Sequence, residues 1–237
     1  MPSLLKFAQS NFSPVSARAK GTKGELDIFG AIGDSWFEDS VTLKAFKSEL
    51  DKLKDVDELV ININSPGGDV FTGISIYNLL KQHKAKKTVR IQALAASIAS
   101  IIALAGDEIE MGEGSLYMIH LPMTMGWGNR EEFDKVVDRL LDIEEQMINI
   151  YVKKSKKARH EVKSMLEKET WLDGDTAISE GFADRKTEDT MPIAASLLDK
   201  ATWLKKRPEN IRTSAHAVRE DIINLKSKIE GVLARKK

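Results

Sequence analysis

Short β-branched runs alternate with helical patterns along the first half of the chain, and this alternation constrains the fold more than any other feature. Residues 59–64 read Leu-Val-Ile-Asn-Ile-Asn, a buried strand that ends at a Ser-Pro-Gly-Gly turn. The later predicted elements are a helix carrying Ile74, Tyr77 and Leu80, a strand over 88–94, a helix of small residues over 97–105, and strands over 108–111 and 115–121. Because parallel strands need a connection long enough to return across the sheet, this order predicts an α/β core with right-handed crossovers.

Patterns on either side of this segment extend the prediction. Leu26 and Ile28 indicate a first strand, and Leu43, Phe46 and Leu50 recur at helical spacing behind Ser40, a candidate cap. Residues 130–154 carry one apolar stripe opposite a charged side, which predicts a helix of six to seven turns. The stripe consists of Phe133, Val136, Val137, Leu140, Ile143, Met147 and Ile150. Since this stripe exceeds what a small domain covers, we expect it to form a subunit interface.

Composition divides the chain into three parts. Residues 1–24 have few periodic apolar positions and end in a Lys- and Gly-rich stretch, so we expect a mobile arm. The α/β domain is expected over 25–190. Residues 191–237 are expected to form a basic extension, since 199–237 hold 11 basic and 5 acidic side chains. Apolar residues at three- and four-residue steps from Ala215 to Val232 predict a helix within this extension.

The overall composition excludes several classes of site. The chain has no cysteine, which rules out disulfides, a thiol nucleophile and thiolate metal sites. Its 36 basic and 36 acidic side chains balance, so no net field attracts nucleic acid or an anionic membrane. No apolar run reaches the roughly 18 residues that a membrane span needs, and no signal peptide is evident. We therefore expect a cytoplasmic protein.

Three polar sites lie at strand ends and could support chemistry. Gly67 and Gly68 follow a buried strand, where consecutive glycines permit either a tight turn or a close approach of N–H groups to a ligand. Ser97 joins the strand over 88–94 to a helix, where free N–H groups are the parts that an oxyanion hole uses. The alternative for Ser97 is a simple helix cap, and for an isolated serine the cap is favoured.

His120 lies at the end of the apolar strand over 115–121, directly before Leu121 and Pro122. An imidazole is the side chain best suited to activate a serine, because its pKa is near neutrality. A satisfied structural histidine is the alternative. Metal binding is not expected, since no pair of histidines has ligand spacing.

Taken together, these segments closely resemble the proteolytic subunit of Clp protease over residues 25–190. The matching motifs are Ile-Asn-Ile-Asn-Ser-Pro-Gly-Gly at 61–68, Ile-Ser-Ile-Tyr at 74–77, Ala-Ala-Ser-Ile-Ala at 95–99 and Tyr-Met-Ile-His-Leu-Pro at 117–122. The resemblance implies a ClpP/crotonase-like spiral of β-β-α units and a serine peptidase without metal or organic cofactor. It implies Ser97 as nucleophile, His120 as general base, and the N–H groups of Gly68 and Ile98 as the oxyanion hole.

The layout with its tail looks most like the ClpP-like proteases encoded beside phage capsid genes, which mature the head. This implies extended polypeptides as substrates, among them capsid or scaffold proteins, in the host cytoplasm or the procapsid. The family resemblance also implies a ring of six or seven subunits, single or double, in which the long helix interlocks the copies. An ATP-driven unfoldase is a further partner that the resemblance suggests.

The sequence offers more than one candidate for the acidic member of the catalytic group. The family's acid precedes an aromatic–Leu pair, and here Glu169 precedes Thr170, Trp171 and Leu172, where the family usually has Asp. We rank Glu169 first and Asp173 second, with a Ser–His dyad as the third option.

Two other functions fit the same sequence. A crotonase-like acyl-CoA enzyme would share the fold and the paired N–H groups, but it has no use for a Ser–His couple. An inactive ring-forming scaffold would retain assembly and dispense with Ser97.

Overall fold

The computed structural model describes residues 13–34 and 40–187. Within these residues, ten strands form one large sheet and one small one. They are β1 (Val15–Lys20), β2 (Lys23–Phe29), β3 (Ala31–Ile32), β4 (Ser40–Val41), β5 (Glu58–Ser65), β6 (Lys86–Ala96), β7 (Glu108–Met111), β8 (Leu116–Ile119), β9 (Thr170–Leu172) and β10 (Arg185–Lys186). The helices are α1 (Leu43–Asp51), α2 (Val70–Gln82), α3 (Ile98–Ala103), α4 (Arg130–Ser155), α5 (Arg159–Glu167) and α6 (Gly174–Ser179).

The large sheet has a parallel centre, in the order β1-β2-β5-β6-β7-β10, with β8 on β6 and β9 on β8. Pairs β2–β5, β5–β6 and β6–β7 are parallel, and helices connect most of these strands, as the alternation predicts. The central strands are buried, which explains their runs of Ile, Leu and Val. The predicted α/β core is confirmed.

The amino-terminal part of the described chain differs from the prediction. Residues 15–24 do not form a mobile arm, because β1 and β2 make an antiparallel hairpin around Gly21. The basic residues here are not simply solvated: Arg18 pairs with Glu25 and Asp27 across the hairpin. These cross-strand ion pairs make a charged segment compatible with a strand. Residues 1–12 lie outside the described residues.

The cap of α1 differs from the prediction, and the carboxyl-terminal extension is not described. The cap of α1 is Thr42 rather than Ser40, since the Thr42 side chain accepts a hydrogen bond from the Ala45 N–H. Residues 191–237, with the predicted helix from Ala215 to Val232, lie outside the described residues. Within the described part of the chain, no helix combines the length and apolarity of a membrane span.

Strand β6 changes its partner shortly before it reaches Ser97. It pairs with β7 up to Ile91 and with β8 from Leu94 onwards. At the same place the register with β5 shifts between Ile63 and Ser65. Such an irregularity bends a strand and redirects the residues that follow. The end of β6 therefore lies between the Gly67–Gly68 turn and strand β8.

Helix α4 confirms the prediction of one long helix and has 26 residues. A capping box of Asn129 and Glu132 starts it, and Lys156 ends it in a left-handed conformation. Its predicted apolar stripe divides into separate surfaces. Met147 is buried in the core at 1% exposure, whereas Phe133 and Val137 are 46% and 54% exposed. The carboxyl-terminal half of α4 thus belongs to the core, and the amino-terminal half presents apolar side chains to the surface.

Candidate active site

Ser97 occupies a sharp turn between β6 and α3. Its backbone has φ 55° and ψ −129°, a conformation that non-glycine residues rarely adopt. The Ser97 N–H donates to the Met118 carbonyl at 2.9 Å, which ties the turn to β8. Although Ser97 stands at the cap position of α3, its side chain makes no capping hydrogen bond. The hydroxyl is therefore available for another partner.

That partner is His120, the residue after β8. The Nε2 atom of His120 lies 2.8 Å from Oγ of Ser97, and both residues are buried. The contact joins positions 23 residues apart because β8 runs parallel to the end of β6. Burial lowers the pKa of His120, and the carboxylate of Glu169 opposes this shift. The net effect favours a neutral imidazole, the form that can accept a proton.

Glu169 is placed opposite His120 by the pairing of β8 and β9. These strands are antiparallel, with Ile119 opposite Thr170, so His120 directly follows the last pair and Glu169 directly precedes it. The two side chains are close enough for the charge of Glu169 to act on the pKa of His120. Glu169 itself has a positive φ of 51°, and its Oε1 accepts a hydrogen bond from Trp171 Nε1 at 3.2 Å. The indole thus holds the carboxylate beside the start of β9.

Asp173, the second candidate acid, has a different position and a different partner. It follows the far end of β9, four residues or roughly 13 Å of extended strand from Glu169. Its carboxylate accepts the Thr176 N–H at 2.8 Å and caps α6. This hydrogen bond lowers the pKa of Asp173. The structure therefore brings Glu169, and not Asp173, to the histidine.

The Gly67–Gly68 turn is held between β3 and the Ser97 turn. Ile32 donates its N–H to the Gly67 carbonyl and accepts the Asp69 N–H, both at 2.8 Å. Because the Gly67 carbonyl and the Gly68 N–H belong to one peptide plane, the Gly68 N–H points away from Ile32. Among the described residues it has no hydrogen-bond acceptor. The Ile98 N–H, in the first turn of α3, also has no acceptor there.

Two glycines control this geometry: Gly67 of the predicted turn, and Gly73, which the sequence did not identify as a site residue. Gly67 has φ 92°, and a Cβ there would lie 2.7 Å from the Ser97 Cβ and 3.2 Å from the Ile98 nitrogen. A Cβ on Gly73 in α2 would lie 2.2 Å from Ile98 Cγ1. Both positions therefore require glycine for close packing against the Ser97 turn. The signal was present in the sequence, since Gly73 lies in a helix interior, where glycine needs a packing reason.

A cleft of ≈ 370 Å³ adjoins this group of residues. It runs between the start of α2, the segment after His120 and the exposed half of α4. Its walls are largely apolar, with Asp69 and Arg139 as the charged residues. The lining residues are Gly68, Asp69, Val70, Phe71, Pro122, Met123, Thr124, Met125, Val136, Arg139, Leu140 and Ile143. A chain in this cleft would pass beside the unpaired Gly68 N–H.

Comparison with known proteins gives a consistent result. Residues 40–189 match the sequence model of the Clp protease family. The ATP-dependent Clp protease proteolytic subunit of Leuconostoc citreum is 28% identical over 161 residues, which cover 66% of this chain and 79% of that protein. The corresponding subunit of Streptococcus pneumoniae is 26% identical over 161 residues, or 66% and 81% of the two chains. A ClpP1 mutant from Listeria monocytogenes superposes with a TM-score of 0.61 at 20% identity, covering 70% of this chain and 91% of that one.

Proposed function

This chain belongs to the Clp protease family, and from that premise we propose that it cleaves peptide bonds with Ser97 as nucleophile, His120 as general base and Glu169 as the orienting acid. Membership makes the chain a peptidase of the ClpP type. The main support for these residue roles is the 2.8 Å contact between Ser97 Oγ and His120 Nε2 at a strained strand end. A serine becomes an effective nucleophile when a base within hydrogen-bond reach removes its proton.

The reaction follows from this contact. The Ser97 oxygen attacks the substrate carbonyl carbon while its proton passes to Nε2 of His120. The carbonyl oxygen takes the negative charge and accepts hydrogen bonds from the N–H groups of Gly68 and Ile98. The C–N bond then breaks, and His120 gives the proton to the departing amine. Water next attacks the ester, His120 removes a water proton, and the C–O bond breaks as that proton returns to the Ser97 oxygen.

Glu169 supports both proton transfers. The imidazolium formed in each step lies in a buried site, where an uncompensated charge is costly. The carboxylate opposite His120 in the β8–β9 register offsets this cost and favours the productive ring orientation. A glutamate is longer by one methylene than the family's usual aspartate. The left-handed backbone of Glu169 and the Trp171 hydrogen bond set the position of this longer side chain.

The substrate is proposed to be an extended polypeptide. The cleft beside Gly68 has a volume of ≈ 370 Å³ and mainly apolar lining residues, which suits one or two side chains of an extended chain rather than a folded surface. Capsid or scaffold proteins as the natural substrates stay a prediction from the sequence resemblance, as does an unfoldase partner.

We also propose that copies of the chain assemble into a ring of six or seven through the amino-terminal half of α4. Phe133, Val137 and Leu141 are each about half exposed and lie at four-residue spacing on one face of this helix. Nearby, Met125 and Trp127 are almost fully exposed. An apolar surface of this kind is typical of a protein interface. A closed ring would restrict access to the Ser97 site to extended chains.

The Ser97–His120 contact favours a peptidase over the other two functions considered. An acyl-CoA enzyme of the crotonase type needs the paired N–H groups but not a serine activated by a histidine. An inactive scaffold has no reason to hold Ser97 in a rare backbone conformation, which costs roughly 1–3 kcal/mol.

Intact-mass spectrometry after treatment with a fluorophosphonate tests the proposal. Wild type should gain one phosphonyl group per chain and hydrolyse a fluorogenic peptide, and Ser97→Ala should do neither. Ser75→Ala is the matched control, because Ser75 is a half-buried residue of α2 whose hydroxyl donates to the Phe71 carbonyl. Labelling of Ser97→Ala, or an unlabelled wild type that binds an acyl-CoA, would refute the proposal.

A further inference from the structure

Ser100 lies one turn after Ser97 and makes an unusual set of buried contacts. Its Oγ is 2.5 Å from the Ser97 carbonyl oxygen and 2.7 Å from the Tyr151 hydroxyl of α4. Its own carbonyl accepts the Tyr117 hydroxyl at 2.5 Å. Ser100, Tyr117 and Tyr151 are all fully buried. Three hydroxyls are thus brought together beneath the Ser97 turn, one from each of three elements.

The direction of these hydrogen bonds follows from counting protons. The Ser97 carbonyl can only accept, so the single Ser100 hydroxyl proton is donated to it. The Tyr151 hydroxyl must then donate to Ser100 Oγ. Burial raises the pKa of both tyrosines, which keeps them protonated donors. The result is a directed chain from Tyr151 through Ser100 to the Ser97 carbonyl.

The Ser97 carbonyl shares a rigid peptide plane with the Ile98 N–H. In a trans peptide the two groups point in opposite directions, so fixing the carbonyl also fixes the direction of the N–H. The Ser97 carbonyl is held by two donors, the Ser100 N–H at 3.0 Å and the Ser100 hydroxyl at 2.5 Å. Without the hydroxyl, one backbone bond alone would hold a peptide plane that follows a strained residue.

We infer that Ser100 and Tyr151 are positioning residues whose hydroxyls fix the Ser97–Ile98 peptide and so aim the Ile98 N–H at the oxyanion. The inference rests on the proposed function, in which Ser97 is the nucleophile and Ile98 an oxyanion donor. Neither hydroxyl touches the substrate.

The pair also connects the active site to the long helix. Tyr151 lies near the carboxyl end of α4, where its ring packs edge-on against Phe182 with centroids 6.0 Å apart. The other half of the same helix carries the exposed Val137 and Leu141. One buried hydrogen-bond chain therefore joins α4 to the Ser97–Ile98 peptide.

Four variants test whether Ser100 and Tyr151 orient the Ser97–Ile98 peptide or only stabilise the fold. Ser100→Ala removes the hydroxyl donor to the Ser97 carbonyl and leaves the backbone N–H donor. We expect the phosphonylation rate constant and kcat to fall about tenfold or more, with KM within about twofold. Tyr151→Phe leaves the Ser100 hydroxyl without its fixing partner and should have a smaller effect of the same kind. Tyr117→Phe is the control, since its equally buried hydroxyl bonds the Ser100 carbonyl and not the Ser97 carbonyl. It should lower Tm with a nearly wild-type labelling rate.

The double variant Ser100→Ala/Tyr151→Phe provides the decisive comparison. Ser100→Ala alone leaves the Tyr151 hydroxyl buried without an acceptor, and the double variant removes that orphan group. We expect Tm to recover relative to Ser100→Ala while labelling stays slow, because the Ser97 carbonyl still lacks its second donor. Recovery of labelling together with Tm would overturn the inference, as would a wild-type rate in Ser100→Ala.

The same assay distinguishes this inference from the proposed function. Labelling that survives in Ser97→Ala defeats the proposed function itself. Labelling that is lost in Ser97→Ala but unchanged in Ser100→Ala defeats only the positioning role of Ser100 and Tyr151.

Discussion

Replacing Gly67 by alanine should disable the active site while leaving the subunit folded. Gly67 has φ 92°, and an added Cβ would lie 2.7 Å from both the Ala96 carbonyl oxygen and the Ser97 Cβ. Ordinary contact begins near 3.4 Å, so the two turns must separate by about 0.7 Å. The unfavourable backbone conformation adds about 1–2 kcal/mol. A displacement of this size at the reacting groups should lower kcat about ten- to a hundredfold.

Gly21→Ala is the matched control for this experiment. Gly21 also has a positive φ, 62°, but nothing lies within 4 Å of an added Cβ. Both variants should therefore lose about 2–8 °C in Tm from the backbone term, and only Gly67→Ala should lose turnover. Fluorogenic peptide hydrolysis and thermal unfolding measure the two effects separately. Turnover of Gly67→Ala within twofold of Gly21→Ala would show that the close contact with the Ser97 turn is not needed.

Three further outcomes are expected. Glu169→Gln should keep the fold yet lower turnover by orders of magnitude, whereas Asp173→Asn should do much less, since asparagine can also cap α6; the reverse pattern in peptide hydrolysis would assign the acid to Asp173. The acid limb of the pH profile of kcat/KM should lie below the ordinary histidine pKa of about 6.5, because the lowered pKa of His120 keeps the imidazole neutral to lower pH. Glu169→Gln should move this limb to still lower pH, because the Glu169 charge raises the pKa of His120. Val137→Glu with Leu141→Glu should reduce the mass measured by light scattering with unchanged circular dichroism, and an unchanged mass would reject this face of α4 as the interface.

The choice of Val137 and Leu141 for that test comes from the structure. The sequence places Leu140 and Met147 on the same apolar stripe, and either could be chosen to carry a charge. Met147 is buried in the subunit core, so Met147→Glu would unfold the chain rather than separate copies. Leu140 lines the cleft, where a charge would alter substrate binding as well. Periodicity identifies the buried and exposed sides of a helix but not what covers each one.

The sequence alone predicts the central strands and helices and supplies the two principal candidates for the site, Ser97 and His120. Strand and helix periods, the Ser-Pro-Gly-Gly turn and the small residues around Ser97 act over a few neighbouring positions, and they predict the α/β core and the long helix within about two residues. Ser97 and His120 each end a strand of the same predicted sheet, and the resemblance of their motifs to the Clp family made them the leading candidates. Their 2.8 Å contact then requires only that β8 lie beside β6.

Tertiary structure decides what depends on register and on distant partners. The β8–β9 register sets Glu169 opposite His120 and leaves Asp173 as a cap, although both acids are close in sequence. The β1–β2 hairpin pairs Arg18 with Glu25 and Asp27 across the strands, partners that its local composition does not reveal. Ser100 meets Tyr151 across 51 positions of the chain. Local sequence encodes periodicity and turn chemistry, whereas such pairings exist only once the crossovers and the core have brought separate segments together.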